Sequence, residues 1–144
     1  MTDPISTARP TTVTAAFWLW VAASLVGVIG GIIILAFAGD APAIQRLDES
    51  QRAAAGAVII GLGAWSIIVA ALRVLFAWFM LRGRNWARIL LTVLGALTIL
   101  SVVFQAASVG VLEWISAVLV AAAIVFMYLP ASRAYFAATR RPRV

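Results

Sequence analysis

Residues 79–92, FMLRGRNWARILLT, carry three arginines within seven positions between two long apolar runs. Gly83 and Asn85 lie among these arginines, and both residue types suit a tight turn. The stretch has two possible interpretations, an anion or nucleic-acid site and the cytoplasmic turn of a membrane hairpin. The flanking segments favour the hairpin, because residues 54–72 and 89–108 are both uncharged and long enough to cross a bilayer.

The composition of the whole chain agrees with a membrane location. Of 144 residues, 65% are hydrophobic and 11% are charged, and the mean hydropathy is +1.08. Soluble proteins are roughly half apolar and a quarter charged, so lipid is expected to be the solvent for most of these side chains. The net charge is +6, and all eleven basic residues are arginine. Because these arginines lie beside apolar runs, we expect anionic lipid headgroups as partners and no nucleic acid.

The chain has no cysteine and no histidine. Disulfides, thiolate nucleophiles, Cys or His metal sites and His-ligated haem are therefore excluded. The usual general base near neutral pH is also missing. Only five acidic residues remain. We therefore expect no enzymatic activity, no cofactor and no metal.

Four hydrophobic segments predict an all-α, polytopic transmembrane four-helix bundle. A spanning helix needs about 20 mostly apolar residues. The predicted helices cover about residues 15–38, 53–81, 89–108 and 111–129, between a tail at 1–14 and a basic tail at 130–144. Asp48 and Ser50 are possible caps, so the second helix is expected to begin near residue 50.

The distribution of arginines predicts the orientation. Eight arginines lie on one side of the predicted bundle and two, Arg46 and Arg52, on the other. Because cytoplasmic loops are enriched in basic residues, we expect a multi-pass protein of the plasma membrane with both termini in the cytoplasm. Trp18 and Trp20 are expected near the same interface. The side chains expected to contact cytoplasmic headgroups are Arg82, Arg84, Trp86, Arg88, Arg133, Arg140, Arg141 and Arg143; docking of the C-terminal tail onto a protein is the alternative.

Arg73 interrupts the second apolar segment and has two interpretations. It lies nine residues before Arg82, about 13 Å deeper along a helix. An ionised arginine at mid-membrane often marks function. Alternatively, the span ends at residue 72 and Arg73 extends to the phosphates of the cytoplasmic leaflet. If Arg73 is deep, Ser24 and Thr98 are at its level and are the expected partners.

Glu113 is the one acid beside a predicted span that invites a functional role. A direct ion pair with Arg73 is not expected, because their heights differ by roughly 10–15 Å. With Gln105 it forms a predicted polar pair at the outer interface, where a helix N-terminus favours a carboxylate. A proton-coupled carboxylate is the alternative.

Small residues recur at a spacing of four in three of the spans: Ala23, Gly27 and Gly31 in the first, Ala57 and Gly61 in the second, Ala117 and Ala121 in the fourth. Such stripes let helices approach closely in a bilayer. They indicate packing inside the bundle or contact with another subunit.

LRGRNWARILLTVLGAL (81–97) and MYLPASRAYF (127–136) resemble stretches of small four-helix membrane proteins of actinobacteria. Those proteins carry a Gly-Arg-Asn-Trp-Ala-Arg turn after helix two and a Leu-Pro-x-Ser-Arg-x-Tyr-Phe exit from helix four. The resemblance implies the same topology and no particular activity, substrate or cofactor.

Two functions remain open from the sequence. The leading expectation is a non-catalytic accessory or scaffolding subunit that packs against other membrane protein subunits or against itself. The alternative is a small carrier, or a protein that binds a lipid or an anion through Arg73 or Glu113.

Overall fold

The computed structural model describes residues 10–107 and 109–138, which form helices and no strand. The helices are α1 (Thr11–Phe37), α2 (Pro42–Gln45), α3 (Glu49–Leu81), α4 (Asn85–Phe104), α5 (Val111–Tyr128) and α6 (Pro130–Ala138), with a 3-10 turn at Ala38–Asp40. In this part of the chain, α1, α3, α4 and α5 are long and apolar enough to cross a membrane. The predicted all-α class and the four membrane-length helices are confirmed.

The helix ends follow local capping and turn chemistry. The Asp48 side chain accepts the backbone N–H of Gln51 at 2.9 Å, and α3 begins at the next residue, Glu49. The turn between α3 and α4 is short, with Gly83 at φ 76°. As a result α4 begins at Asn85 rather than 89, and it ends at Phe104 rather than 108. Hydropathy locates only the apolar part of a helix, so the prediction from hydropathy did not include the polar first turn of α4.

The four long helices form an up-and-down bundle. α1 packs against α3 and α5, and α4 packs against the same two helices. Each helix therefore lies beside its neighbours in the chain, and the first and last long helices close the ring. Short connections between antiparallel helices give this arrangement directly.

The apolar core surrounds Trp20, which is completely buried. Its indole Nε1 donates to the sulfur of Met127 at 3.1 Å. Gly95 on α4 makes room for the indole, because a Cβ there would lie 3.0 Å from Trp20 Cη2 and 2.9 Å from Val120 Cγ1. Trp18 and Trp20, both expected near one membrane interface, therefore differ: Trp20 is buried in the bundle, whereas Trp18 is 63% exposed. Their position relative to a membrane stays a prediction.

The two ends of the bundle differ. We call the end that carries the start of α1, residues 82–84 and α6 the arginine end. The opposite end, which carries residues 38–48, 105–107 and 109–110, is called the loop end. At the arginine end α6 packs on α5 and α1 and buries Phe136. The Ser132 hydroxyl donates to the Phe126 carbonyl at 2.8 Å and accepts from Thr12 at 2.8 Å. These contacts close the core at the arginine end.

Candidate functional site

Arg73 lies inside the bundle, between α3 and α4. Only 5% of its surface is exposed. One terminal guanidinium nitrogen, Nη2, donates to the Thr98 hydroxyl, whose own proton goes to the Leu94 carbonyl at 2.8 Å. The Nε atom of Arg73 is buried and has no hydrogen-bond partner among the described residues. α3 continues to Leu81, and the Arg73 guanidinium contacts Thr98 within the bundle. The depth of Arg73 in a bilayer stays a prediction.

Ser24, the other expected partner of Arg73, does not take that role. Its buried hydroxyl donates to the Trp20 carbonyl of its own helix at 2.8 Å. Serine in a helix often bonds the carbonyl four residues earlier. The Ser24 oxygen could still accept a hydrogen bond, but Arg73 donates to Thr98 instead. Of the two hydroxyls at this level, the structure brings only that of Thr98 to Arg73.

A cavity of about 500 Å³ extends from Arg73 to the loop end. Its walls come from α1, α3, α4 and α5. Apolar side chains supply much of the lining, and the polar residues in it are Ser66, Arg73, Thr98, Ser101, Gln105, Glu113 and Ser116. A volume of this size matches pockets that hold small organic ligands. Arg73 is the single basic residue of the lining.

Glu113 and Gln105 lie toward the loop end of this cavity. Glu113 is in the first turn of α5, and its Oε2 folds back so closely that a Cβ on Gly110 would lie 3.0 Å away. Gln105 follows the last residue of α4 and donates through Nε2 to the Ser101 carbonyl at 3.2 Å. No ion pair joins Arg73 to Glu113 in residues 10–107 and 109–138. The Glu113 carboxylate thus faces the N-terminus of its own helix, where it is favoured.

Three of these polar residues were not anticipated from the sequence. Ser66 lies seven residues before Arg73 on α3, so both occupy one face of the helix. Ser101 lies one turn beyond Thr98 on α4, and Ser116 follows Glu113 on α5. The spacing of residues 98, 101 and 105 inside an apolar span was a usable indication of a polar face.

The arginines at the arginine end stack on aromatic rings. The guanidinium carbon of Arg82 lies 3.6 Å from the Trp78 ring centre, and that of Arg84 lies 5.6 Å from the Phe79 ring centre. Trp86 is 42% exposed and packs edge-on against Phe76. Arg82, Arg84 and Trp86 therefore lie at the surface of this end.

Arg88 differs from these surface arginines, because only 8% of it is exposed. Its guanidinium carbon lies 4.0 Å from the Tyr128 ring centre and 5.3 Å from that of Phe136. Because α4 begins at Asn85, Arg88 shares a helical face with the buried residues Leu91 and Gly95. Arg88 therefore lies in the first turn of α4 rather than in the connecting turn. Its predicted contact with lipid headgroups stays a prediction.

Arg88 and Arg133 line a second, smaller cavity of about 170 Å³, together with Asn85, Phe136 and Ala137. Arg133 is exposed and lies on α6. This cavity brings together the stretches 83–88 and 129–136, which are distant in the chain. The remaining arginines of the predicted group, Arg140, Arg141 and Arg143, lie outside the described residues.

The small-residue stripes divide into internal and external ones. Ala23 is buried, and Gly27 faces Ala70 of α3. Gly31 is so close to α3 that a Cβ on it would lie 3.1 Å from the Gly63 carbonyl oxygen. These residues pack α1 against α3.

The other small residues are less uniform. Ala117 is buried, whereas Ala57, Gly61 and Ala121 are exposed. A Cβ on Gly61 would meet no other atom within 4 Å. One face of α3 therefore carries small residues that no described part of the chain covers.

No protein-family model, curated protein or solved structure shows significant similarity to the chain.

Proposed function

We propose that this protein is a non-catalytic membrane protein that binds an amphiphilic anion in the cavity above Arg73. One observation carries the proposal: a buried arginine with an unpartnered Nε lines a cavity of ligand size. The anionic group of the ligand pairs with the Arg73 guanidinium at the base of the cavity. The apolar part of the ligand lies along the cavity walls. No catalytic step is assigned, because the chain has no histidine or cysteine.

The electrostatics of Arg73 favour an anion over a neutral ligand. A charge removed from water costs several kcal/mol unless it is paired and hydrogen-bonded. The Thr98 hydroxyl is a neutral partner and compensates only part of this cost. An anion supplies the opposite charge and can accept from Nε, forming the charge-assisted hydrogen bonds for which the guanidinium is shaped.

The walls of the cavity select for an amphiphile. Val26, Ile34 and Leu62 line it alongside the hydroxyls of Ser66 and Ser101. A small inorganic anion would leave the apolar surface in contact with water, whereas an alkyl chain would cover it. Long-chain carboxylates and alkyl phosphates therefore fit the site better than chloride or sulfate.

The proposal includes the orientation of the bundle. The eight-to-two distribution of arginines supports a plasma-membrane protein with both termini in the cytoplasm. In that orientation the part of the cavity near Gln105 and Glu113 lies toward the outer surface. A reporter that is active only outside the cytoplasm, fused to the C-terminus, should stay inactive; strong activity would reverse the assignment.

Binding is tested on the full chain in nanodiscs with tritiated dodecanoate, and with dodecyl phosphate and dodecanol as competitors. We expect both anions to compete and dodecanol to compete poorly. Arg73→Gln, which keeps a hydrogen-bonding group near Thr98 but removes the charge, should weaken dodecanoate binding at least about tenfold. Arg46→Gln, an exposed arginine of the 38–48 segment, is the matched control and should leave it unchanged. Equal affinity in wild type and Arg73→Gln would overturn the proposal.

A second function, an accessory or scaffolding subunit, is supported by the exposed small residues Ala57 and Gly61 on α3. Close helix approach needs such a face. Gly61→Leu should then reduce co-purification of a partner subunit, or self-association, after gentle detergent extraction. Recovery of a lone monomer from every detergent and nanodisc would contradict this function and would leave the anion site untouched.

A further inference from the structure

The small cavity at the arginine end has the features of a second anion site, independent of the Arg73 cavity. It lies between the first turn of α4 and α6, and Arg88 lines it with more than nine tenths of its surface buried. The Nε atom of Arg88 has no hydrogen-bond partner in the described part of the chain. A buried donor without a partner costs free energy, so the site favours a ligand that accepts from it.

Aromatic rings hold the Arg88 guanidinium in place. Tyr128 and Phe136 lie 4.0 and 5.3 Å from its carbon. Rings contact the flat face of a guanidinium, whereas its N–H donors lie in the plane. The N–H donors of a guanidinium can form a planar fork of hydrogen bonds, the geometry that suits phosphate oxygens.

The start of α4 adds a favourable dipole to the same cavity. Asn85 is the first residue of this 20-residue helix, and no side chain caps it. Its first turn contains no acid. Uncapped backbone N–H groups and the positive end of the helix dipole favour a bound anion.

Among residues 10–107 and 109–138, no acid balances the charge at this end. Arg133 contributes a second guanidinium to the cavity, and none of its five lining residues is acidic. The four acids in the described residues, Asp40, Asp48, Glu49 and Glu113, all lie toward the loop end.

We infer that Arg88, Arg133, Asn85 and the start of α4 form a binding site for a phosphoryl group. A volume of about 170 Å³ accommodates a phosphate but not a whole lipid. The phosphate comes either from the headgroup of an anionic lipid, with its acyl chains along the outside of the bundle, or from a soluble phosphate. Arg88 supplies buried, oriented donors, and the exposed Arg133 closes over the ligand from α6.

The test uses the delipidated full chain and native mass spectrometry with dioleoyl phosphatidic acid, dioleoylglycerol and inorganic phosphate as probes. We expect one molecule of phosphatidic acid to remain bound and dioleoylglycerol, which lacks the phosphate, to be lost. Competition by millimolar inorganic phosphate would identify soluble phosphate as the source, and its absence would identify the lipid.

Single substitutions distinguish binding of phosphatidic acid in this cavity from its general attraction to a basic protein surface. Arg133→Gln, on an exposed side chain, should weaken retention of phosphatidic acid about tenfold without loss of folding. Arg88→Lys, which keeps the charge but removes the fork, should weaken it as well. Arg84→Gln, an exposed arginine of the same end that does not line the cavity, is the matched control. All of these variants are compared in an Arg73→Gln background, so that the larger cavity does not contribute to retention.

Three results would overturn the inference: equal retention of phosphatidic acid and dioleoylglycerol, no change on Arg133→Gln, or an equal loss on Arg84→Gln. Because Arg133 is exposed, its variant remains informative even if substitution of the buried Arg88 prevents folding.

Discussion

The two halves of the bundle are built from the same apolar helices but differ in what fills them. Toward the arginine end, Trp20, Met80, Leu91 and Met127 are completely or almost completely buried and leave a close-packed core. Toward the loop end, the same helices enclose a cavity of about 500 Å³ with Arg73 at its base. We infer that the half at the arginine end stabilises the fold through its packed core, whereas the half at the loop end has room for a ligand.

The largest expected effect is on the packed half. Trp20→Ala should lower the free energy of unfolding by about 3–5 kcal/mol, because it removes the largest buried side chain and leaves a cavity. Thermal denaturation of the solubilised protein, followed by size-exclusion chromatography, measures the change. Trp18→Ala is the control, because Trp18 is 63% exposed. A similar loss of unfolding free energy in Trp20→Ala and Trp18→Ala would contradict the claim that Trp20 is a core residue and Trp18 a surface residue.

A smaller loss is expected from Gly95→Ala. The added methyl group would meet Ile124 Cδ1 at 2.8 Å and Val120 Cγ1 at 2.9 Å, so the core must shift. Overpacking of this kind typically destabilises by about 1–3 kcal/mol. Gly56→Ala is the matched control, since a Cβ at that position meets nothing within 4 Å. Equal melting temperatures for the two variants would show that α4 is not held this tightly.

In the open half, substitution should affect binding and spare stability. Arg73→Leu removes a buried charge whose protein partner is a neutral hydroxyl. We expect the melting temperature to stay unchanged or to rise by up to about 4 °C, because apolar replacements of buried charges are often neutral or stabilising. A collapse as large as that of Trp20→Ala would instead make Arg73 part of the structural core.

The smallest effect is expected outside the bundle, at the start of α3. Hydrogen bonds from the Gln51 backbone N–H and the Ser50 hydroxyl hold the pKa of Asp48 below its usual value. The carboxylate therefore stabilises the fold fully above its unfolded pKa, and the contribution is lost as pH falls through the lower folded pKa. Asp48→Asn should lower the melting temperature slightly at pH 7, and the difference from wild type should shrink on acidification.

Asp40→Asn, a second exposed acid of the same segment that caps no helix, is the comparison for Asp48→Asn. A pH-independent difference between wild type and Asp48→Asn would show that the cap does not act through its charge.

The number of long helices, the turn at Gly83 and the start of α3 were predictable from the sequence. Long apolar runs, Gly83 in the turn and Asp48 before α3 each act locally, so composition and spacing identify them. The level of Arg73 relative to Thr98 was also predictable, since helical rise alone fixes heights in a bundle.

The direction of side chains was not predictable in the same way. Both faces of a membrane helix are apolar, so hydropathy does not distinguish a buried Trp20 from an exposed Trp18. Arg88 was taken for a turn residue because charge usually marks the end of a span. Its guanidinium is covered by Tyr128 at the end of α5 and by Phe136 on α6, and Phe136 reaches it because α6 packs back against the bundle.

The central claim, that Arg73 makes the open half attractive to anions, has one direct measurement. The chain has no cysteine, so Ser101→Cys places a single thiol in the cavity. Its rates of reaction with sulfonate-bearing and trimethylammonium-bearing methanethiosulfonates are compared, each normalised to a free thiol. We predict that the anionic reagent reacts about tenfold faster and that this preference disappears when Arg73→Gln is added. An equal preference with and without Arg73 would contradict the account.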